Sequence, residues 1–194
     1  MRKSMLAIPI ALLASLSPTV LRAADITYNV NQSVGASGSV TGSITTDGGT
    51  GVLGTADILN WNLVVNDGTN PTFDLIGMTN SAEEVVGLDL SATATQLLFN
   101  YSGSDGGFFL LENLTIGDGG PFACFEASAG CSSAPPGESL AALDGEGDEV
   151  FTALEGTGVI GTTGVAPTPE PGSLLLLGTG LVGLVGMGWR KAVA

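Results

Sequence analysis

The stretch Leu59-Asn60-Trp61-Asn62-Leu63-Val64-Val65 alternates between two sets of side chains with a period of two residues. Its odd-numbered positions are all large and apolar, whereas two of its three even-numbered positions are asparagine. Because successive side chains of a strand point to opposite faces, this pattern predicts a β-strand with one buried face. An amphipathic helix would repeat its apolar residues every three or four positions instead.

Four further runs of the chain predict strands. Residues 26–31 and 95–101 alternate in the same way, and apolar runs at 108–116 and 150–160 extend the series. Asp-Gly pairs stand between such runs, and Asp-Gly readily supplies the positive φ that tight hairpin turns require. These pairs are Asp47-Gly48, Asp67-Gly68, Asp105-Gly106, Asp118-Gly119 and Asp144-Gly145.

Short strands separated by glycine-rich turns predict an all-β domain. We expect one antiparallel β-sandwich or barrel-like sheet over residues 24–165, which are enough for a single hydrophobic core. Only residues 55–60 offer a helical turn within this domain. The segment 117–137, which is rich in glycine, proline and small residues, is predicted to be the longest surface loop.

The amino-terminal segment is typical of a secretory signal. Arg2 and Lys3 precede an apolar stretch over residues 5–16, and the small residues Ala23 and Ala24 follow. This order predicts a signal peptide over residues 1–23 that signal peptidase removes. The apolar stretch is short and contains Pro9, which argues against a permanent membrane helix.

The carboxyl-terminal segment, residues 166–194, predicts a membrane anchor. Pro169-Glu170-Pro171 precedes an uncharged run at 173–189, and Arg190-Lys191 follow that run. A helix over this run would be about 25 Å long, enough for a thin hydrocarbon layer. Arg190 and Lys191 would stop it on the cytoplasmic side, which leaves the preceding domain outside the cytoplasm.

These three elements of the tail resemble the PEP-CTERM sorting signal of exported bacterial proteins. The resemblance implies that a membrane protease of the exosortase type recognises Pro169-Glu170-Pro171 and processes the protein for the cell surface or extracellular matrix. The segments Gly38 to Gly48 and Gly51 to Trp61 also resemble parts of uncharacterised exported proteins with the same tail, and that likeness implies no activity.

The domain between the two terminal segments is strongly acidic. All five basic residues lie at positions 2, 3, 22, 190 and 191, and all 19 acidic residues lie between Asp25 and Glu170. The chain contains no histidine. Every carboxylate of the domain must therefore be hydrated, accept hydrogen bonds from N–H groups, or be neutralised by an external cation. Nucleic acid and anionic lipid are excluded as electrostatic partners of this surface.

Cys124 and Cys131 are the only cysteines of the chain. In an exported protein we expect them to form a local disulfide, for which the chain-entropy model gives about 2.5 kcal/mol. The alternative, a metal site built on the cysteine pair, would lack ligands because the chain has no histidine and no third cysteine.

An acidic run at Asp144, Glu146, Asp148 and Glu149 is a candidate calcium site. Carboxylates at alternating positions of a glycine-rich loop can converge on Ca²⁺, which needs six to eight oxygen ligands. The run lacks the register of a helix-loop-helix calcium loop, and a hydrated turn between strands is the alternative.

The composition leaves little room for catalysis. Nucleophilic systems and metal sites that need histidine are excluded, and the domain has no lysine or arginine for substrate phosphates. A pair of carboxylates, as in glycosidases, is the one arrangement that the composition permits. Trp61 and Tyr101 could stack on a sugar if they were exposed, but their positions in alternating runs favour burial in the core.

The sequence thus predicts an exported, non-catalytic structural or interaction protein with no resident cofactor. It would be anchored in the membrane as a precursor and then reach the cell surface or extracellular matrix, where exopolysaccharide is a candidate partner. The alternatives are a secreted carbohydrate- or calcium-binding module and, third, a carboxylate-dependent hydrolase.

Overall fold

The computed structural model describes residues 24–113, 120–128, 131, 135–143 and 149–164. Within these ranges the chain forms β-strands and a single 3₁₀ turn at Thr55–Asp57. The strands are β1 (Ile26–Val34), β2 (Gly38–Thr46), β3 (Gly51–Val52), β4 (Ile58–Asn66), β5 (Phe73–Ile76), β6 (Ser81–Val86), β7 (Leu90–Ala92), β8 (Gln96–Asn100), β9 (Phe108–Asn113), β10 (Phe122–Glu126), β11 (Gly137–Ala141), β12 (Val150–Ala153) and β13 (Thr157–Thr162).

The strands form two sheets. The larger sheet has the order β3-β7-β8-β13-β1-β2-β4-β5, and the smaller has the order β12-β11-β10-β9-β6. All pairings between these strands are antiparallel. The predicted all-β class is confirmed, and the arrangement is a two-sheet sandwich.

The hydrophobic core lies between the two sheets and draws side chains from both. Phe99 of the larger sheet packs against Phe125 of the smaller with ring centroids 6.4 Å apart, and Phe109 stacks on Phe125 at 5.9 Å. Trp61 and Tyr28, the largest side chains in this core, are at most 2% exposed. Their burial contributes on the order of 2–3 kcal/mol each to the free energy of unfolding.

The alternating runs at 26–31, 59–65 and 95–101 are confirmed as strands with one buried face. Three positions differ from the prediction: Ile26 and Leu59 are only half-buried, and Thr95 is exposed and precedes β8. Ile58 is buried in the place expected for Leu59. The pairing of β2 with β4 shifts between Thr45 and Thr46, which pair with Asn60 and Ile58. Such a bulge inserts one residue into the strand and so reverses the inside–outside order before it.

Two predictions about the second half of the chain are wrong. The run at 150–160 is two strands, β12 and β13, which lie in different sheets. The chain crosses between them at Gly156, whose φ of 72° suits glycine. The predicted loop at 117–137 contains β10, an internal strand whose five residues are all buried.

The three Asp-Gly pairs that the structure describes have positive φ at glycine, as predicted: 82° at Gly48, 82° at Gly68 and 71° at Gly106. None of the three forms a two-residue hairpin between paired strands, since longer connections separate the strands on either side. Asp47 and Asp67 instead stabilise their connections locally: Asp47 Oδ1, for example, accepts a hydrogen bond from the Gly49 amide at 2.9 Å. The pairs at 118–119 and 144–145 lie outside the described residues.

A buried hydrogen bond connects the two sheets through the core. Trp61 Nε1 on β4 donates to Ser81 Oγ on β6 over 2.8 Å, and both residues are at most 2% exposed. Neither group has access to water, so each depends on the other for its hydrogen bond.

Replacing Trp61 by phenylalanine should therefore destabilise the domain by about 2–4 kcal/mol, since it loses apolar contact area and leaves the Ser81 hydroxyl buried without its donor. Urea-induced unfolding followed by far-ultraviolet circular dichroism measures this change. The matched variant Ser81→Ala tests the hydrogen bond alone, and the double variant completes a thermodynamic cycle. We expect a coupling free energy of about 1 kcal/mol, and additive effects would contradict the bond.

Candidate functional site

The structure tests few of the residues that the sequence singled out for function. Pro169, Glu170, Pro171, Arg190 and Lys191 lie outside the described residues, as does the predicted membrane helix at 173–189. Among the described residues, no helix has the length and apolar character needed to cross a membrane.

The acidic run at 144–149 is described only at its last residue. Asp144, Glu146 and Asp148 lie outside the described residues, and Glu149 is exposed immediately before β12. The calcium hypothesis for this run stays a prediction.

The cysteine pair forms the predicted disulfide between Cys124 on β10 and Cys131. Glu126, two residues after Cys124, accepts a hydrogen bond from the Cys131 amide at its Oε2 over 3.1 Å. The Glu126 carboxylate and the two sulfur atoms lie within 4.8 Å of one another. Sequence reasoning missed Glu126 as a third group beside the cysteines. The sulfurs of a disulfide are not thiolates, so this form of the cluster does not offer the ligands of a zinc site.

The carboxylates that the structure buries are a group that sequence analysis did not single out. The described carboxylate residues with at most 4% exposure are Asp67, Asp89, Glu126 and Glu138. No lysine, arginine or histidine lies between positions 22 and 190, so these groups have no basic partner in the domain. The folded domain must therefore stabilise each of these carboxyl groups without a salt bridge.

Asp67 follows β4 and is stabilised in its ionised form by N–H donors. Its Oδ1 accepts from the amides of Thr69 and Asn70 at 2.8 and 2.7 Å. Its Oδ2 accepts from the Asn70 side-chain amide at 2.9 Å and from the Ala142 amide at 3.2 Å. Burial opposes ionisation, but these hydrogen bonds outweigh it and hold the pKa of Asp67 at about 2. Because Ala142 follows β11, the Asp67 carboxylate also links the two sheets at one end of the sandwich.

Glu138 on β11 accepts its hydrogen bond from a side-chain hydroxyl and not from backbone amides. The Tyr101 hydroxyl donates to Glu138 Oε1 over 2.6 Å, and both residues are at most 4% exposed. Burial raises the pKa of Glu138, although the tyrosine hydrogen bond works in the opposite direction. Burial and the neighbouring Glu138 also raise the pKa of Tyr101, so the hydroxyl stays a donor throughout the neutral range.

An open cleft of about 380 Å³ lies beside this pair. Tyr101, Ser102, Pro135, Pro136 and Glu155 are among the residues that line it. Tyr101 forms part of the wall, but its ring is buried and its hydroxyl is bonded to Glu138. The described lining of the cleft therefore presents small and proline side chains together with Leu154 and Glu155, and among these residues there is no exposed aromatic face.

A smaller hollow of about 190 Å³ lies on the outer side of β6 and β9. Glu83, Glu84 and Glu112 line it together with Ala82 and Leu110. Its acidic lining agrees with the overall charge of the domain and would repel an anionic ligand.

The Asp67 site predicts how stability depends on pH. Its folded pKa lies below the ordinary value of 3.8, so its contribution is present above pH 4 and is lost as the pH falls through about 2. Asp67→Asn should reduce the free energy of unfolding at pH 6 by about 1–2 kcal/mol, since the amide removes the charge and replaces one of the two acceptor oxygens by a donor. Urea titrations at pH 6 and pH 2.5 measure this difference, which should shrink at the lower pH.

The control is Asp74→Asn, which removes the same charge at an exposed position and should change stability little. Equal losses in the two variants would contradict the role of the Asp67 hydrogen bonds.

The Glu138 site predicts the opposite pH dependence. A raised folded pKa makes the carboxyl more favourable in the folded state at low pH, and this advantage is lost as the pH rises through that pKa. Glu138→Gln keeps an acceptor for Tyr101 without a charge, so its stability relative to the natural protein should rise between pH 4.5 and pH 7.5. Tyr101→Phe removes the donor and should cost about 1–3 kcal/mol, with the larger loss at pH 7.5. A pH-independent difference for Glu138→Gln would contradict this account.

Comparison with known proteins identifies the tail. Residues 167–192 match the family described as the PEP-CTERM protein-sorting motif. Neither the curated proteins nor the solved structures contain a match to the chain. The matched range includes Pro169-Glu170-Pro171 and Arg190-Lys191, so the predicted resemblance of the tail is confirmed. The tail of the chain is thus a PEP-CTERM sorting motif, which supports an exosortase substrate and marks a secreted, membrane-anchored precursor that is processed to the cell surface or extracellular space.

Proposed function

We propose that the sandwich domain is a non-catalytic structural or interaction module of the cell surface or extracellular matrix. The observation that carries this proposal is the sorting motif at residues 167–192, which follows a domain without any basic side chain. The motif directs the protein to the cell surface, and the sandwich domain is the part that would act there. Exopolysaccharide and multivalent cations are the partners that the acidic, polar surface favours.

The distribution of aromatic side chains supports this proposal over a sugar-stacking module. Trp61, Tyr28 and Tyr101 are each at most 2% exposed, so none of them offers a ring face to a sugar. The partly exposed rings among the described residues are the phenylalanines Phe73, Phe108 and Phe151. Recognition of a matrix polysaccharide would therefore rely mainly on hydrogen bonds and bridging cations.

The alternatives have different experimental signatures. Saturable binding to a defined oligosaccharide on a glycan array would favour a carbohydrate-binding module. Turnover of a glycoside that a single Asp or Glu substitution abolishes would favour a carboxylate-dependent hydrolase. We expect neither from the full-length chain.

Sorting is tested by replacing Pro169, Glu170 and Pro171 with alanine and expressing the chain in its native host. The natural protein should reach the surface or medium with an intact mass that shows loss of the tail. The variant should stay in the membrane with the tail attached, since the protease would lack its recognition residues. Intact-mass spectrometry of membrane, surface and medium fractions measures both properties.

Two further variants separate recognition from anchoring. Pro167→Ala changes a neighbouring proline outside the tripeptide and should be processed normally. The double variant Arg190→Ala/Lys191→Ala removes the cytoplasmic stop and leaves the tripeptide intact. It should reduce retention of the precursor in the membrane. If the natural protein and the tripeptide variant have the same mass and location, the sorting role is refuted.

A further inference from the structure

Asp89, between β6 and β7, carries a buried oxygen without a hydrogen-bond partner. The residue is 4% exposed, and its Oδ1 accepts from the Asn100 side-chain amide at 3.3 Å. Its Oδ2 is buried and receives no hydrogen bond. Burying a carboxylate oxygen without a donor or a counter-ion is strongly unfavourable. This oxygen therefore indicates a ligand that the protein chain does not itself provide.

A second carboxylate faces Asp89. Asp105 lies on the connection between β8 and β9, is exposed, and accepts a hydrogen bond from the Leu88 amide at its Oδ2 over 3.1 Å. Burial, and then the charge of Asp105, raise the pKa of Asp89, although the Gly107 backbone amide and the Asn100 side chain act in the opposite direction. Two like charges side by side repel each other, and this chain has no basic residue nearby to compensate them.

The backbone closes tightly around the Asp89 carboxylate. A Cβ added at Gly103 would lie 1.9 Å from Asp89 Oδ1, and one added at Gly107 would lie 2.4 Å from Oδ2. The second position would also be 2.8 Å from the Val86 carbonyl oxygen, so this main-chain oxygen borders the same glycine as Oδ2 does. Only glycine allows this approach at either position. The Asp89 carboxylate thus has a second carboxylate and a main-chain oxygen in its neighbourhood, and both are ligand types that Ca²⁺ prefers.

We propose that Asp89 and Asp105 bind a divalent cation of the Ca²⁺ type. Asp89 would contribute its buried Oδ2, Asp105 would contribute a carboxylate oxygen from the solvent side, and water would complete the coordination. Asn100 positions Asp89 through its hydrogen bond to Oδ1. The site uses residues other than those of the acidic run at 144–149 and does not depend on the sorting motif, so the proposal stands or falls independently of the proposed function.

The rival explanation is a proton shared between the two carboxyl groups. A protonated Asp89 could donate to Asp105, and this would relieve the repulsion without any metal. The two explanations differ in their response to Ca²⁺ and to an amide at position 89, because an amide can donate a hydrogen bond but carries no charge.

The test uses the full-length chain in detergent, stripped with EDTA and then titrated with CaCl₂ or MgCl₂ at neutral pH. Calorimetry should show binding of Ca²⁺ that is stronger than binding of Mg²⁺, which requires a more regular and smaller site. Saturating Ca²⁺ should raise the midpoint of thermal unfolding by about 5 °C. Absence of both heat and midpoint shift at millimolar Ca²⁺ would overturn the proposal.

Variants locate the site. Asp89→Asn and the exposed Asp105→Asn should each weaken Ca²⁺ binding by on the order of tenfold or more, because each removes one charged ligand. Asp105→Asn also covers the case in which the buried substitution prevents folding. Asp74→Asn, a matched change of surface charge, should leave binding unchanged. Glu146→Gln with Asp148→Asn tests the acidic run. If this pair abolishes binding while Asp89→Asn and Asp105→Asn do not, the site lies in the run and the proposal is wrong.

Discussion

The constraint that governs this domain is the absence of any basic side chain between positions 22 and 190. A buried carboxylate in most proteins can pair with lysine or arginine, but here that solution does not exist. Asp67 is ionised and accepts hydrogen bonds from backbone and amide N–H groups, whereas Glu138 receives a tyrosine hydroxyl and has a raised pKa. Asp89 receives too few donors for its two oxygens. The same constraint therefore produces three different environments, and only the last of them calls for an external cation.

The same polar groups also hold the two sheets together. Trp61 with Ser81 bonds in the middle of the core, Tyr101 with Glu138 bonds beside the open cleft, and Asp67 bonds to the Ala142 amide at one end. Hydrophobic packing between sheets is not directional, so it leaves the relative position of the sheets weakly specified. Hydrogen bonds between buried groups have strict geometry, and a displaced sheet would leave every one of these groups unsatisfied. The buried polar residues thus add positional specificity to a core whose stability comes mainly from apolar burial.

The parts of this fold that could be predicted from sequence are those in which local pattern and tertiary environment agree. Residues 26–31 and 59–65 alternate because one face of their strands is buried and the other is wet. β10 has both faces buried, so it shows no alternation, and the small residues that follow it are typical of a loop. The bulge at Ile58 depends on pairing with β2, which the sequence of β4 does not contain. Buried acids are hidden for a similar reason, because Glu138 and Tyr101 are 37 positions apart and nothing in either segment indicates the other. The sorting motif was predictable because its function depends on a contiguous run of residues and not on a folded arrangement.

The charge of the domain has a consequence at the place to which the sorting motif sends it. Ten carboxylate residues of the described ranges are at least partly accessible to solvent: Asp25, Asp47, Asp57, Asp74, Glu83, Glu84, Asp105, Glu112, Glu149 and Glu155. Copies of such a domain repel one another at separations below the Debye length, which is about 8 Å at physiological ionic strength. Close contact between copies, or with an anionic polysaccharide, therefore requires cations to occupy the space between the surfaces. A cation bound at Asp89 and Asp105 would lie near the surface of the domain, because Asp105 is exposed. The sorting motif would thus deliver a domain that has no basic side chain of its own to a place where external cations can compensate its charge.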